Sequence, residues 1–376
     1  MRVDAFDKLG GDVLQIQKYI SEGREASPPF SGDVIVNLNA DLSSFDIIHL
    51  TNIDRPAELY HYFGCARAVG KLIVVSPIHH SYAEIERFER EARAGAVGLV
   101  SGLFSFSVLE ALRCIVRSSM YPKLLRPLLR LIVRGTRKAQ RAVLAGSDAI
   151  LVLTQKERED ISRDIGPLDP GKVMCLRNGF DVSPASTESA RSEVRDLDVC
   201  VIGRIEARKN QKAILSALDN LGRSGVFVGK ENPNHLAYCA EFKKMIAESR
   251  SEYLGGLSHL EAVAIMRRAK VHVSASWFEV SSLVDMEAFR AGCRIVSSAN
   301  GGTGELLGAR ARYVDPGSRE ELETAIAAAL RDCDAPAVAG PPDPEPVLEG
   351  WASVAGKLAR LYQDLLADQT ESPTTA

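Results

Sequence analysis

Short apolar runs of four or five residues recur along this chain, each followed by a longer amphipathic stretch, and this alternation restricts the fold more than any other feature. Runs of that length joined by segments of helical period mark strands buried in parallel sheets and connected by crossover helices. The first series is Val34 to Asn37, Ile47 to Leu50, Leu72 to Ser76, Ala149 to Leu153 and Val173 to Leu176. The second is Val199 to Ile202, Gly225 to Val228, Val271 to Ser274, Arg294 to Ser297 and Arg312 to Val314. The polar segment Asp181 to Asp198, without apolar periodicity, separates them. The sequence therefore predicts an α/β protein of two doubly wound domains, residues 1–184 and 185–346. A Pro-rich segment, Ala335 to Pro346, precedes a final amphipathic helix within 347–367, and the tail 368–376 is expected to be disordered.

A chain of 376 residues is long enough for two such cores. A formal charge of −3 gives it no general affinity for nucleic acid. Its longest uncharged stretch, around Ala94 to Leu109, is broken by Ser and Gly and falls short of the roughly 20 apolar residues of a spanning helix. With no secretion signal at the N-terminus, the cytoplasm is the expected compartment. Only Met1 to Phe6 precede the turn Lys8-Leu9-Gly10-Gly11-Asp12, so the first strand is expected to be very short or cut off. The seven cysteines are scattered, with no Cys-x-x-Cys pair, and read as reduced packing residues.

Phosphate recognition needs positive charge and free amides where a strand feeds a helix. Gly203-Arg204-Ile205-Glu206-Ala207-Arg208-Lys209 follows the strand Val199 to Ile202 and has that form. Arg204 offers a forked contact to a diphosphate and Lys209 a point charge; a solvated basic turn is the plainer alternative. After Val271 to Ser274 comes Trp277-Phe278-Glu279-Val280-Ser281-Ser282-Leu283-Val284-Asp285-Met286-Glu287. Ser281 and Ser282 are good N-caps, so a helix should begin there, offering the amides of Ser281, Ser282 and Leu283 and the positive end of its dipole. Glu279 then stays in the loop and Glu287 lies on the second turn. Two carboxylates so placed suit hydroxyl groups.

These segments, with Ala291-Gly292-Cys293, Gly301-Gly302-Thr303-Gly304-Glu305 and Val314-Asp315-Pro316, resemble the retaining glycosyltransferases of family 4. The resemblance covers nearly the whole chain and implies a GT-B fold, two Rossmann-like domains facing each other across a cleft. It implies that Arg204 and Lys209, with Gly203 beside them, bind the donor diphosphate, that Glu287 binds the ribose, and that Glu279 binds the donor sugar. Many relatives carry Gly-Phe-Gly after the first glutamate. This chain has Val280-Ser281-Ser282 there, so the sugar preference does not carry over.

In the N-terminal half, Gly10-Gly11-Asp12 opens a helix over Val13 to Ile20. By the resemblance, Gly10 and Gly11 face the donor phosphate and Asp12 the acceptor. Pro77-Ile78-His79-His80 ends the strand Leu72 to Ser76, where the family places a histidine against the donor sugar; His79 is favoured over His80. Asn178-Gly179-Phe180-Asp181 resembles the family's hinge, and the helix of Trp351 its terminal helix, which crosses back to the N-domain. Between Ala111 and Ser147 there is no acid, while Arg126, Arg130, Arg134 and Lys138 share one helical face beside Leu128, Leu129, Ile132 and Val133. That pattern suits an interfacial helix on the anionic inner face of the cytoplasmic membrane, with a lipid-linked or glycan acceptor.

The function expected from these residues is retaining transfer of a sugar from a GDP- or UDP-linked donor, as in polysaccharide or lipopolysaccharide assembly. Asp196-Leu197-Asp198 matches a metal-binding Asp-x-Asp but precedes its strand, so no metal and no cofactor is expected. The alternatives are a sugar-nucleotide epimerase on the same architecture and a catalytically inactive sugar-nucleotide-binding or scaffold protein.

Overall fold

The computed structural model describes residues 4–5, 11–92, 108, 112, 114–116, 121–181, 194–334 and 349–371. Gly10, the boundary expected between 184 and 185, the Pro-rich segment and the last five residues lie outside these. By contacts the chain divides into two compact units, one formed by Met1–Tyr82, Ser101–Gly179 and Glu349–Ala376, the other by Ala83–Val100 and Phe180–Leu348.

The first unit holds a parallel sheet of β1 (Ile47–Thr51), β2 (Leu72–Ser76), β3 (Ala149–Val152) and β4 (Val173–Cys175), in that spatial order. Ile73, Val74, Val75 and all four residues of β3 are buried, so these strands read as unbroken apolar runs rather than as an alternation. Val34 to Asn37 carries no strand assignment among the described residues, and its side chains are partly buried or exposed.

Helices α1 (Gly11–Gly23) and α2 (Pro56–Ala68) belong to this unit, and α3 (Tyr82–Glu91) leaves it. From Leu125 onward the basic stretch forms two helices, α4 (Leu125–Arg134) and α5 (Thr136–Gly146), because Gly135 between them takes φ +82, a conformation that glycine adopts without cost. Next comes α6 (Gln155–Asp164). The terminal helix α13 (Trp351–Glu371) packs along α1: Trp351 meets Tyr19 edge-on, and the Tyr362 hydroxyl lies 2.6 Å from His49 Nδ1. A Cβ on Gly179 would stand 2.6 Å from the Trp351 Cα, so only glycine admits that helix.

The second unit holds six parallel strands: β5 (Leu197–Ile202), β6 (Gly225–Val228), β7 (Glu252–Tyr253), β8 (Ala269–Ser274), β9 (Arg294–Ser298) and β10 (Ala311–Val314). Their spatial order is β10-β9-β8-β5-β6-β7. The helices are α7 (Gln211–Asn220), α8 (Leu236–Ala247), α9 (His259–Arg268), α10 (Leu283–Arg290), α11 (Thr303–Leu307) and α12 (Arg319–Asp334). Successive β5 side chains enter opposite layers. Val199 and Val201 pack with Ile214, Leu218, Leu322 and Ile326 of α7 and α12, whereas Cys200 packs with Met266, Met286 and Leu307 of α9 to α11. A sheet so covered on both faces is doubly wound. The chain leaves β5 toward β6 on one side and returns to β8 on the other, so the strand order reverses between β5 and β8, where open α/β sheets bind ligands.

Candidate active site

Parallel pairing of β5 with β8 sets their carboxyl ends side by side, and with them the two loops singled out from the sequence. After β5 the chain passes Gly203 and Arg204, makes a 3-10 turn over Ala207–Lys209, and enters α7 through Asn210 at φ +58. Gly229, after β6, crosses here so closely that a Cβ on it would lie 2.0 Å from the Gly203 carbonyl oxygen. The Trp277 amide donates to the Arg208 carbonyl at 2.9 Å, stitching the two loops together.

At the centre stands Glu279. Its Oε2 accepts from Lys209 Nζ at 2.5 Å and from Arg208 Nη1 at 2.9 Å. The Arg208 guanidinium also donates to the Phe278 carbonyl at 3.0 Å and to Glu206 Oε1 at 3.0 and 3.2 Å, and it lies over the Phe278 ring. Burial alone would lower its pKa, but the charges of Glu279 and Glu206 outweigh burial and raise it. Glu206 is buried too; Arg208 and a 2.6 Å bond from Asn232 hold its carboxyl below the ordinary value against the pull of desolvation. Arg204 reaches Glu206 only at 4.0 Å and is the more exposed cation. Arg208 and Glu206 were not among the sequence-predicted residues. The signal was present, since a third cation stands directly between Arg204 and Lys209, but its burial between two carboxylates comes from the fold.

The Glu279 loop is held from behind by the glycine-rich segment. Gly301 has φ +114, and a Cβ on it would lie 2.7 Å from the Glu279 carbonyl oxygen; the Gly302 amide donates to the Val280 carbonyl at 2.9 Å. Trp277 is buried, with its ring near Phe88 and Arg87. Its indole nitrogen and the Ser276 hydroxyl have no hydrogen-bond partner among the described residues.

Helix α10 starts where the serines predict. Ser282 is its N-cap, accepting from the Asp285 amide at 3.3 Å, with Ser281 just before and Leu283 as first helical residue. Glu287 lies on the second turn, 3.8 Å from His259 at the start of α9. Beneath this terminus is a network that sequence reasoning missed. Fully buried Asp285 accepts from the Ser297 hydroxyl at 2.6 Å and the Thr303 hydroxyl at 3.0 Å, and faces His272 Nε2 at 3.2 Å. Burial would raise this carboxyl, but His272 and the hydroxyls of Ser297 and Ser282 win and hold it below the ordinary value. The network ties β8, β9, α10 and α11 together, fixing the direction of the α10 terminus.

Asp196 makes two bonds to Arg268, at 2.9 and 2.5 Å, and Asp198 pairs with Lys270 at 3.3 Å and Arg223 at 3.4 Å. Both sit at the amino end of β5, opposite the Lys209 cluster.

In the first unit, Asp12 lies in the first turn of α1 and accepts from Asn52 Nδ2 at 3.4 Å; a Cβ on Gly11 would meet nothing within 4 Å. His79 corrects the expectation placed on it. Its side chain is fully buried, with Nδ1 2.7 Å from Asp54 and Nε2 3.1 Å from Asp164, while its amide donates to Glu157 at 2.8 Å. Burial would lower the imidazole, but Asp54 and Asp164 raise it to about 10, so it is a locked cation and presents no ring nitrogen to a ligand. His80 is the partly exposed member of the pair, at 25%, and its Nδ1 lies 3.1 Å from Asp54. Between this lock and β2, Ile78 takes φ +48, an uncommon conformation for a β-branched residue.

Residues 184–340 match the family model described as glycosyl transferases group 1. Glycogen synthase of Mycobacterium tuberculosis is 26% identical over 165 residues, 43% of this chain and 40% of that protein, so the match spans well under half of that relative. Among solved structures, sucrose-phosphate synthase from Thermosynechococcus elongatus superposes with TM-score 0.59 at 14% identity, covering 86% of this chain and 74% of that one. Anabaena HepE in complex with UDP and glucose gives 0.56 at 17% identity, covering 97% of each. With two parallel-sheet units in tandem and these superpositions, the chain has the GT-B fold, and within it residues 184–340 match the group 1 glycosyl transferases.

Proposed function

We propose that this chain is a retaining glycosyltransferase that moves a sugar from a GDP- or UDP-linked donor to a glycan or lipid-linked acceptor, in cell-surface polysaccharide or lipopolysaccharide assembly. The observation that carries this is the joining of Lys209, Arg208 and Glu279 at the carboxyl ends of β5 and β8, beside the N-terminus of α10. In this proposal Lys209 and Arg204 hold the donor diphosphate, and the amides of Ser281, Ser282 and Leu283 supply the helix dipole. Glu279 orients the sugar hydroxyls and Glu287 the ribose. Gly10 and Gly11 face the donor phosphate and Asp12 the acceptor, while His80 takes the place of His79 toward the donor sugar, with His79 as the group that positions it.

The acceptor oxygen forms its bond to the anomeric carbon on the face from which the diphosphate oxygen departs, and the acceptor proton passes to the leaving diphosphate. Positive charge at Arg204, Lys209 and the α10 terminus stabilises that oxygen as it gains charge. Glu279 shares one oxygen between two cations, which suits holding hydroxyls better than attacking carbon. The step needs no metal and no cofactor, and the enzyme works at the cytoplasmic face.

The test is a panel of UDP-, GDP-, ADP- and dTDP-sugars screened by thermal shift and then by sugar transfer, repeated with Glu287→Ala and Lys209→Ala. Selective stabilisation by one donor, lost in both variants and accompanied by acceptor-dependent release of its nucleotide, is expected. Stabilisation without any turnover would establish a binding or scaffold protein instead, and conversion of the sugar without acceptor an epimerase.

A further inference from the structure

The basic helices take no part in the chemistry above, yet they carry the most unusual surface of the chain. On α4 the residues sort into three sectors at about 100° per residue. Leu124, Pro127, Leu128 and Leu131 point inward and are buried, with Leu128 and Leu131 packed on Ala57 and Ala139. Leu125, Leu129, Ile132 and Val133 occupy an outward sector about 100° wide and are exposed by 53, 54, 55 and 90%. Arg126, Arg130 and Arg134 fill the third, also outward. The structure thus amends the face expected from sequence: Leu128 belongs to the core, Leu125 replaces it outside, and Lys138 stands on α5 beyond the Gly135 break.

An inward apolar sector is all that the fold requires, and a second apolar sector facing out needs a partner. Leu112, Ile115 and Val116 are exposed as well, so this is where large apolar side chains concentrate on the described surface. The charge pattern names the partner. No acid occurs from Ala111 to Ser147, and no carboxylate pairs with Arg126, Arg130, Arg134 or Lys138 among the described residues. Beside α4 a groove is lined by Tyr60, Leu129, Arg130, Val133, Arg134 and Lys138, three of them cationic and the others carrying apolar surface.

We propose that the outer face of α4, with Lys138, docks on an anionic lipid leaflet, with the helix axis in the membrane plane. Leu125, Leu129, Ile132 and Val133 enter the headgroup–acyl boundary, and the arginines and Lys138 engage lipid phosphates. Docking does not depend on the transfer reaction, so it can hold or fail independently of the function proposed above.

The test is co-sedimentation of the full chain with phosphatidylcholine vesicles, with and without about 30% phosphatidylglycerol. Binding to the anionic vesicles alone is expected, weakening steeply toward about 0.5 M salt. Each cation near the surface contributes roughly fivefold, about 1 kcal/mol, so Arg126→Gln, Arg130→Gln and Arg134→Gln together should weaken binding on the order of 100-fold. Val133→Trp should shift its fluorescence to the blue on anionic vesicles, and Leu129→Ser with Ile132→Ser should lose binding at unchanged melting temperature. Equal binding to neutral vesicles, no binding at low salt, or indifference to the arginine variant would each overturn the proposal. So would concentration-dependent self-association abolished by the Leu129→Ser and Ile132→Ser pair, which would assign the face to a second copy of the chain.

Discussion

Lys209 Nζ and Glu279 Oε2 are 2.5 Å apart, although the two residues arrive from different strands and stand 70 positions apart in sequence. Each has its own requirement for charge, and each is about one-fifth exposed. A partly exposed pair of this kind contributes about 1 kcal/mol or less to stability. Lys209→Met should therefore leave the melting temperature nearly unchanged while lowering the rate of sugar transfer by roughly 100-fold or more, the typical cost of removing one group that stabilises developing charge. Arg208→Met should behave differently. It strips the cation from buried Glu206 as well as one of the two cations from partly exposed Glu279, and should cost about 3–5 kcal/mol of stability, chiefly through Glu206. Melting curves and transfer rates of the two variants side by side check the contrast; equal destabilisation would contradict it.

Gly301→Ala tests whether the glycine-rich segment shapes the Glu279 loop. At φ +114 an alanine is strained by about 1–3 kcal/mol, and its methyl would press on the Glu279 carbonyl oxygen and Cβ. Donor binding should weaken at least tenfold in a protein that still folds. If titration with the nucleotide sugar shows unchanged affinity, the loop does not depend on that contact.

The strands were legible because a parallel strand buried on both faces must be apolar throughout. Leu72–Ser76 and Gly225–Val228 coincide with the predicted runs, and others differ by one or two residues at an end. The start of α10 was legible from Ser281-Ser282, since capping is local chemistry. One failure has the same origin in reverse: β7 has a neighbour to pair with but only Glu252 and Tyr253 to show for it. Nothing within a few residues of Asp285 announces that His272, Ser297 and Thr303 will surround it. His79 carried the opposite error: the end of β2 drew attention to it, while Asp54 and Asp164, distant in sequence, turned its ring inward. The break at Gly135 was readable in principle and was masked by the helical spacing of the arginines around it.

Asp285→Ala leaves the Ser282, Ser297 and Thr303 hydroxyls and His272 around an emptied buried site. Loss of a buried hydrogen-bonded carboxylate should cost about 3–5 kcal/mol, with hydrogen exchange rising first at the N-terminus of α10. Asp285→Asn keeps the shape and one acceptor and should recover part of the loss. Equal stability of Asp285→Ala and the unaltered chain would mean the network contributes nothing.

His79 gives a pH dependence of known sign. Its imidazole rises from an ordinary 6.5 to about 10 in the fold, so the folded chain holds this proton more tightly than the unfolded chain. The stabilisation is complete below pH 6.5 and is lost as pH rises through about 10. Glu157, which receives the His79 amide, is raised by burial to about 7 from 4.5 and loses stability in the same direction, over a lower window. Asp54 is pulled the other way: burial would raise it, but His79 and His80 hold it below the ordinary carboxylate, so its contribution is lost only on acidification below 3.8. Denaturant midpoints should therefore fall steadily between pH 6.5 and 10 in the unaltered chain. In His79→Gln the midpoint at neutral pH should drop, because Asp54 and Asp164 lose the buried cation between them and keep the outer contacts to His80 and Arg163, and the alkaline decline should flatten. The strained turn at Ile78 would relax with it, so His80 should lose its fixed position, and the rate of sugar transfer should fall. Parallel pH profiles for the two proteins would show instead that His79 is neutral in the fold and that the turn is held by other contacts.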